Sequence, residues 1–185
     1  YFTLTSGLKS PVYVDCRKLI SFPKEREFII NEMCKQIKSK YKNNSTIIAG
    51  GETAGIPYSS FLCQKTKYPM IYIRKSPKGF GKGKLIEGEF KKNSHSILVE
   101  DMATDGGSKL HFIKALRQNK LRVTDIYVIF YYGIYPKAKK NLSKMKVNLN
   151  YLATWEDILA ISPNYISDKD YENLKNYLES ISNGK

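Results

Sequence analysis

The chain has 185 residues, 42% hydrophobic and 26% charged, which is enough apolar material for a buried core in one domain over residues 1–185. Its longest apolar stretch, residues 126–135, is broken by Gly133 and is too short to span a bilayer, and no basic-then-apolar leader opens the chain. Lys and Arg total 31 against 17 Asp and Glu, for a net charge of +14, but the lysines are dispersed, a pattern that fits a solvated basic surface better than a nucleic-acid track.

The first residue is Tyr1 rather than Met, and Phe2-Thr3-Leu4 already reads as structured chain, so a native N-terminal segment is expected to be missing. Thr3-Leu4-Thr5 and Val12-Tyr13-Val14 flank a Ser/Gly/Pro turn and predict a hairpin, the core of a small N-terminal unit over residues 1–22. Pro23 opens a helix on which Phe28, Ile29, Met33, Ile37 and Tyr41 recur every three to four residues. Strands are predicted at 47–49, 70–73, 96–99, 123–131 and 149–153. Helices are predicted at 56–65, 108–119, 155–160 and 168–182. Cys16, Cys34 and Cys63 form no C-x-x-C pair, and His95 and His111 are the only histidines, so a four-ligand zinc set cannot be assembled. An odd cysteine count without a leader fits a reducing cytoplasm, with the thiols acting as small hydrophobes.

Short apolar strands alternating with helices predict an α/β fold: a mainly parallel central sheet covered by helices on both faces. In such sheets ligands bind beyond the carboxyl ends of the strands, so the residues just after each strand are the candidates for chemistry. After residues 97–99 come Glu100, Asp101, Met102, Ala103, Thr104, Asp105, Gly106, Gly107 and Ser108, leading into a helix. Glycines that turn N–H groups inward, hydroxyl donors and a helix N-terminus together make a phosphate cradle. Two carboxylates beside a phosphate must face something else, and a sugar diol or hydrated Mg²⁺ is the natural partner. Simple helix capping by Asp and Ser is the alternative. The segment is neither a Walker loop nor a dinucleotide fingerprint.

After residues 70–73, the stretch 74–88 interleaves Arg74, Lys75, Lys78, Lys82 and Lys84 with glycines and Pro77. Such a segment repels itself and is expected to be a mobile lid that closes over a polyanion. After residues 47–49, Gly50-Gly51-Glu52-Thr53-Ala54-Gly55 offers close backbone approach and a third wall for the same pocket.

The acidic segment resembles the phosphoribosyl-pyrophosphate (PRPP) motif of type I phosphoribosyltransferases. The Phe-Thr-Leu-x-Ser-Gly-x-x-Ser-Pro hairpin, the Arg-Lys-x-x-Lys loop and that motif, in this order, resemble orotate phosphoribosyltransferases. Gly-Glu-Thr-Ala-Gly-Ile-Pro, Glu-Asp-Met-Ala-Thr-Asp-Gly-Gly-Ser-Lys and Ala-Thr-Trp-Glu-Asp are similar to the alphaproteobacterial version. The resemblance implies transfer of phosphoribosyl from PRPP to orotate, with Mg²⁺ held mainly by PRPP rather than by protein ligands. Glu100 and Asp101 would take the ribose diol, 102–108 the 5-phosphate, and Arg74, Lys75, Lys78, Glu52 and Thr53 the remainder of PRPP. Lys78, Arg74 and Asp101 are the implied catalytic residues, and Thr104, Tyr13 and Val14 the implied orotate contacts. It also implies a homodimer in which the lid lysine reaches the neighbouring active site. The alternatives are a phosphoribosyltransferase for another base, or a PRPP-sensing or RNA-binding regulator with the same fold. Thr5, Ala54, Phe80 and Gly133 depart from the common pattern, which leaves Lys9 or backbone N–H groups to hold the orotate carboxylate.

Overall fold

The computed structural model describes residues 1–3, 9–42, 45–77, 84–104 and 107–182. Phe2–Thr3 (β1) and Lys9–Ser10 (β2) pair antiparallel, with Phe2 opposite Ser10. The hairpin is therefore present, but its second strand lies earlier than 12–14. Ser10 Oγ donates to Val12 O at 2.6 Å and accepts from Val12 N–H at 3.2 Å, and Pro11 has no N–H to give a ladder. The chain instead runs into a 3₁₀ helix, Cys16–Ser21, capped by Asp15. Pro23–Lys40 (α1) comes next, with proline at its first turn, and buries Ile30, Met33, Cys34 and Ile37.

Six strands then build the main sheet: Ile47–Gly51 (β3), Met70–Ile73 (β4), Ile86–Glu87 (β5), His95–Ala103 (β6), Arg122–Tyr131 (β7) and Asn148–Thr154 (β8), in the order β5-β4-β3-β6-β7-β8. All neighbours are parallel except β5, which pairs antiparallel with β4 at the edge. That short strand lies inside the segment expected to be wholly loop, so the irregular stretch is shorter than 74–88. Gly55–Thr66 (α2), Gly107–Gln118 (α3), Pro136–Lys144 (α4), Trp155–Ile161 (α5) and Asp168–Ser182 (α6) complete the fold. The sequence reading lacked α4: it is short and lysine-rich, with too few apolar residues to stand out, and Pro136 at its start is the one signal.

Two buried clusters cover the two faces of the sheet. One joins Ile73, Leu98, Ile126 and Val128 to Phe112, Ile113 and Leu142; the other joins Ile48, Val99 and Phe130 to Met33, Leu62, Trp155 and Leu174. The cysteines are free thiols, and burial pushes Cys16 and Cys63 up to about 12, so they pack as protonated side chains. Because the chain steps from β3 outward to β4 and then returns to the other side of β3 as β6, the parallel order reverses between β3 and β6. A crevice opens at the carboxyl ends of these two strands.

The opposite end of the sheet is tied by a polar knot. The fully buried Asp125 carboxylate accepts from Lys40 Nζ at 2.5 Å, from Thr124 Oγ1 at 2.7 Å, from Asn150 Nδ2 at 3.1 Å and from the Tyr41 hydroxyl. Burial alone would raise this carboxyl; the donors outweigh it and hold it at about 2. The folded value lies below the unfolded one of about 4, so the stabilisation is full above pH ~5 and fades as pH falls toward 2. Asp125→Asn should therefore lose about 2 kcal/mol at pH 7, and much less at pH 3, in urea unfolding midpoints. Equal losses at both pH values would show that the charge is not what stabilises.

Candidate active site

The β3–β6 crevice is a cleft of about 580 Å³. Glu52, Thr53 and Ala54 line it from the end of β3, Lys75 from beyond β4, and Glu100, Asp101, Met102 and Thr104 from β6; Lys109 and Phe112 line it from α3. Tyr13, Val14 and Arg17 close the other side. The acidic pair lies within β6, not after it, because β7 is long enough to pair it as far as Ala103↔Tyr131. Both carboxylates are buried, at 5% and 8% exposure.

Glu100 shapes its neighbours. A Cβ on Gly51 would sit 1.7 Å from Glu100 Oε1 and 2.6 Å from the Phe112 ring; one on Gly55 would sit 2.3 Å from Val99 O. These glycines thus make room for the carboxylate and the β6 backbone, a tighter reason for them than approach to a ligand. Glu100 Oε1 is buried with no hydrogen-bond partner, and Oε2 lies 3.9 Å from Lys109 Nζ. Burial pushes this carboxyl up to about 8 against the pull of Lys109 and Lys75, with Asp101 adding to the rise. Asp101 Oδ1 accepts the Met102 N–H at 2.8 Å.

Several expected residues are brought together here: Tyr13, Val14, Glu52, Thr53, Lys75, Glu100, Asp101, Met102 and Thr104. Others stand apart. The Ala103 methyl is packed in the core, while its carbonyl accepts the Tyr132 N–H at 2.9 Å. Arg74 does not line the cleft: its N–H donates to Leu85 O at 2.8 Å and its guanidinium lies 3.9 Å from Glu87 on β5. Glu52 Oε2 accepts the Lys75 N–H at 2.6 Å, joining the loops after β3 and β4; the Glu52–Thr53 peptide is cis. Gly107 and Ser108 open α3. Thr5, Lys78, Phe80, Asp105 and Gly106 lie outside the described residues.

Arg17 was missed by the sequence reading. It lines the cleft, with Nε 2.8 Å from Asp15 Oδ1 and a terminal nitrogen donating to Tyr13 OH at 2.8 Å. No local signal marks it: the 3₁₀ turn capped by Asp15 is what brings Arg17 back beside Tyr13. Lys9, the expected anchor for a carboxylate, is not on the cleft wall. Gly133 (φ +68°) lines a different hollow of about 540 Å³ between β7, β8, α5 and α6.

A parallel sheet whose order reverses at an acidic pair, with a loop from that pair into a helix, defines the type I phosphoribosyltransferase fold. No protein-family model matches the chain. An orotate phosphoribosyltransferase of Ruegeria sp. (strain TM1040) is 46% identical over 160 residues, 86% of this chain and 71% of the relative. The structure of Leishmania donovani UMP synthase superposes with TM-score 0.80 at 28% identity, over 97% of this chain and 38% of that one. Orotate phosphoribosyltransferase from Aeropyrum pernix gives 0.74 at 28% identity, over 90% and 91%. The chain belongs to the orotate phosphoribosyltransferase family.

Proposed function

We propose that this chain transfers the phosphoribosyl group of PRPP to orotate, giving orotidine 5′-monophosphate and pyrophosphate, a step of pyrimidine biosynthesis. The observation that carries the reading is the pairing, in one crevice, of a buried acidic pair at the head of a helix with an aromatic and cationic wall opposite. Glu100 and Asp101 would meet the ribose hydroxyls, and the loop into α3 the 5-phosphate. Tyr13, Val14 and Thr104 would flank the base. Bond breaking at ribose C1 builds positive charge on the sugar and negative charge on the departing diphosphate, so the cations around the cleft have their largest effect at that point.

No group of three His, Cys, Asp or Glu suited to a metal occurs among the described residues. The acidic pair fits a hydrated Mg²⁺ that takes its ligands mainly from PRPP, with Glu100 and Asp101 facing the ribose hydroxyls beside it. When bound, it neutralises diphosphate charge. The same reading includes a homodimer with Lys78 contributed across the interface, and a cytoplasmic setting, in keeping with three free thiols. Among the described residues, no helix is long and apolar enough to cross a membrane.

The test is orotate absorbance with PRPP and Mg²⁺, run beside uracil, which lacks the carboxylate. Wild type should consume orotate. Arg17, the cation on the Tyr13–Val14 wall, would meet the orotate carboxylate, so Arg17→Gln should raise the orotate KM about fivefold, leave the PRPP KM nearly unchanged and alter uracil turnover little, since a charge-assisted contact at a half-exposed site is worth about 1 kcal/mol. Preferential turnover of a base without the carboxylate would point to another base. PRPP binding with no turnover of any base would point to a regulator.

A further inference from the structure

Lys109 stands where two general rules disfavour a lysine. It is 7% exposed, although lysines are rarely buried unless paired, and it occupies the first turn of α3, where the helix dipole disfavours a cation. The apolar face of α3 toward the sheet is supplied by Phe112 and Ile113, a turn further on. Breaches of local preference of this kind collect at functional sites.

What the position offers is proximity to the acidic pair. Nζ lies 3.9 Å from Glu100 Oε2, with 8% and 7% of the two side chains exposed, and Lys109 shares the cleft wall with Glu100 and Asp101. Glu100 Oε1 is confined against Gly51 and Gly55, so the carboxylate is gripped on one side by β3 and α2 and on the other by the ammonium. A buried carboxylate with one oxygen unpartnered keeps its charge and its orientation only where a cation lies beside it.

We propose that Lys109 is a positioning residue for the phosphoribosyl donor: its buried ammonium fixes the Glu100 carboxylate in the orientation from which the acidic pair meets the ribose hydroxyls. The lysine touches the carboxylate rather than the sugar, and it acts through it. This rests on the reading of the cleft as a PRPP site. Charges facing Glu100 come from Asp101 on its own strand, Lys109 on α3 and Lys75 beyond β4, and of the two cations only Lys109 makes an ion pair with it among the described residues.

Lys109→Met keeps the length of the side chain and removes its charge; Lys109→Arg keeps the charge. Both are compared with wild type for kcat, for the KM of each substrate, for calorimetric affinity toward PRPP with Mg²⁺, and for melting temperature. Lys109→Met should weaken PRPP affinity and raise its KM about tenfold or more, the usual loss on removing a group that orients a ligating side chain. The orotate KM should stay within about twofold, and Lys109→Arg should recover most of the loss. Glu100→Gln with Lys109→Met should bind PRPP no worse than Glu100→Gln alone. If Lys109→Met does not fold, Lys109→Gln takes its place in each comparison. Wild-type PRPP affinity in the charge-removed variant overturns the proposal. So do losses shared equally by both substrates that track the melting temperature, and so does a double variant whose deficits add. A wild-type protein that binds no PRPP overturns the functional reading instead.

Discussion

Lys78→Ala should lower the rate of orotate consumption by ~10²–10³ while leaving the melting temperature unchanged. The loss would fall on kcat, because the charge this lysine opposes grows as the diphosphate leaves. Of the described residues just before it, Lys75 donates its N–H to Glu52 at the cleft wall, and Arg74 lies 3.9 Å from Glu87 on β5. If the neighbouring subunit supplies the lysine, mixing Lys78→Ala with a variant disabled at Asp101 should restore activity through hybrid dimers. Full activity in Lys78→Ala would transfer the role to another cation of the segment, Lys82 first.

Gly51→Ala should act through the protein itself. The added methyl would fall 1.7 Å from Glu100 Oε1 and 2.6 Å from Phe112, so either the carboxylate or the aromatic ring must move. Overpacking at such a site costs about 3 kcal/mol, and shifting Glu100 by about 1 Å costs roughly 10² in rate. Both losses should be seen in one variant, by urea unfolding and by turnover. A stable, active Gly51→Ala would mean that Glu100 has room to turn without harm, and that its position is not critical.

How far the sequence carried the reading depends on what kind of signal each part leaves. The apolar runs of β3, β4, β6 and β7, and the Pro23 start of α1, state their structure locally and were legible. The acidic pair and its loop were legible because two carboxylates beside a glycine-rich helix start make little sense in a plain turn. Strand order left no local trace, because the reversal between β3 and β6 is a property of the whole sheet. Arg17 and Lys109 escaped for a related reason. Each is an ordinary basic residue among 31, and only the fold shows that one faces the cleft and the other is buried against Glu100. The glycines were read as ligand-facing, yet Gly51 and Gly55 answer first to Glu100 and the β6 backbone, which lie far from them in sequence.

Trp155 is the sole tryptophan of the chain and lies buried, edge-on to Tyr132 with ring centres 5.6 Å apart. Tyr132 in turn forms part of the cleft wall beside Tyr13 and Val14. The indole is thus one ring away from the place where a base would rest. Movement of Tyr132 as the cleft fills must alter the surroundings of a single emitter, and that gives this protein a built-in optical reporter of occupancy that needs no label.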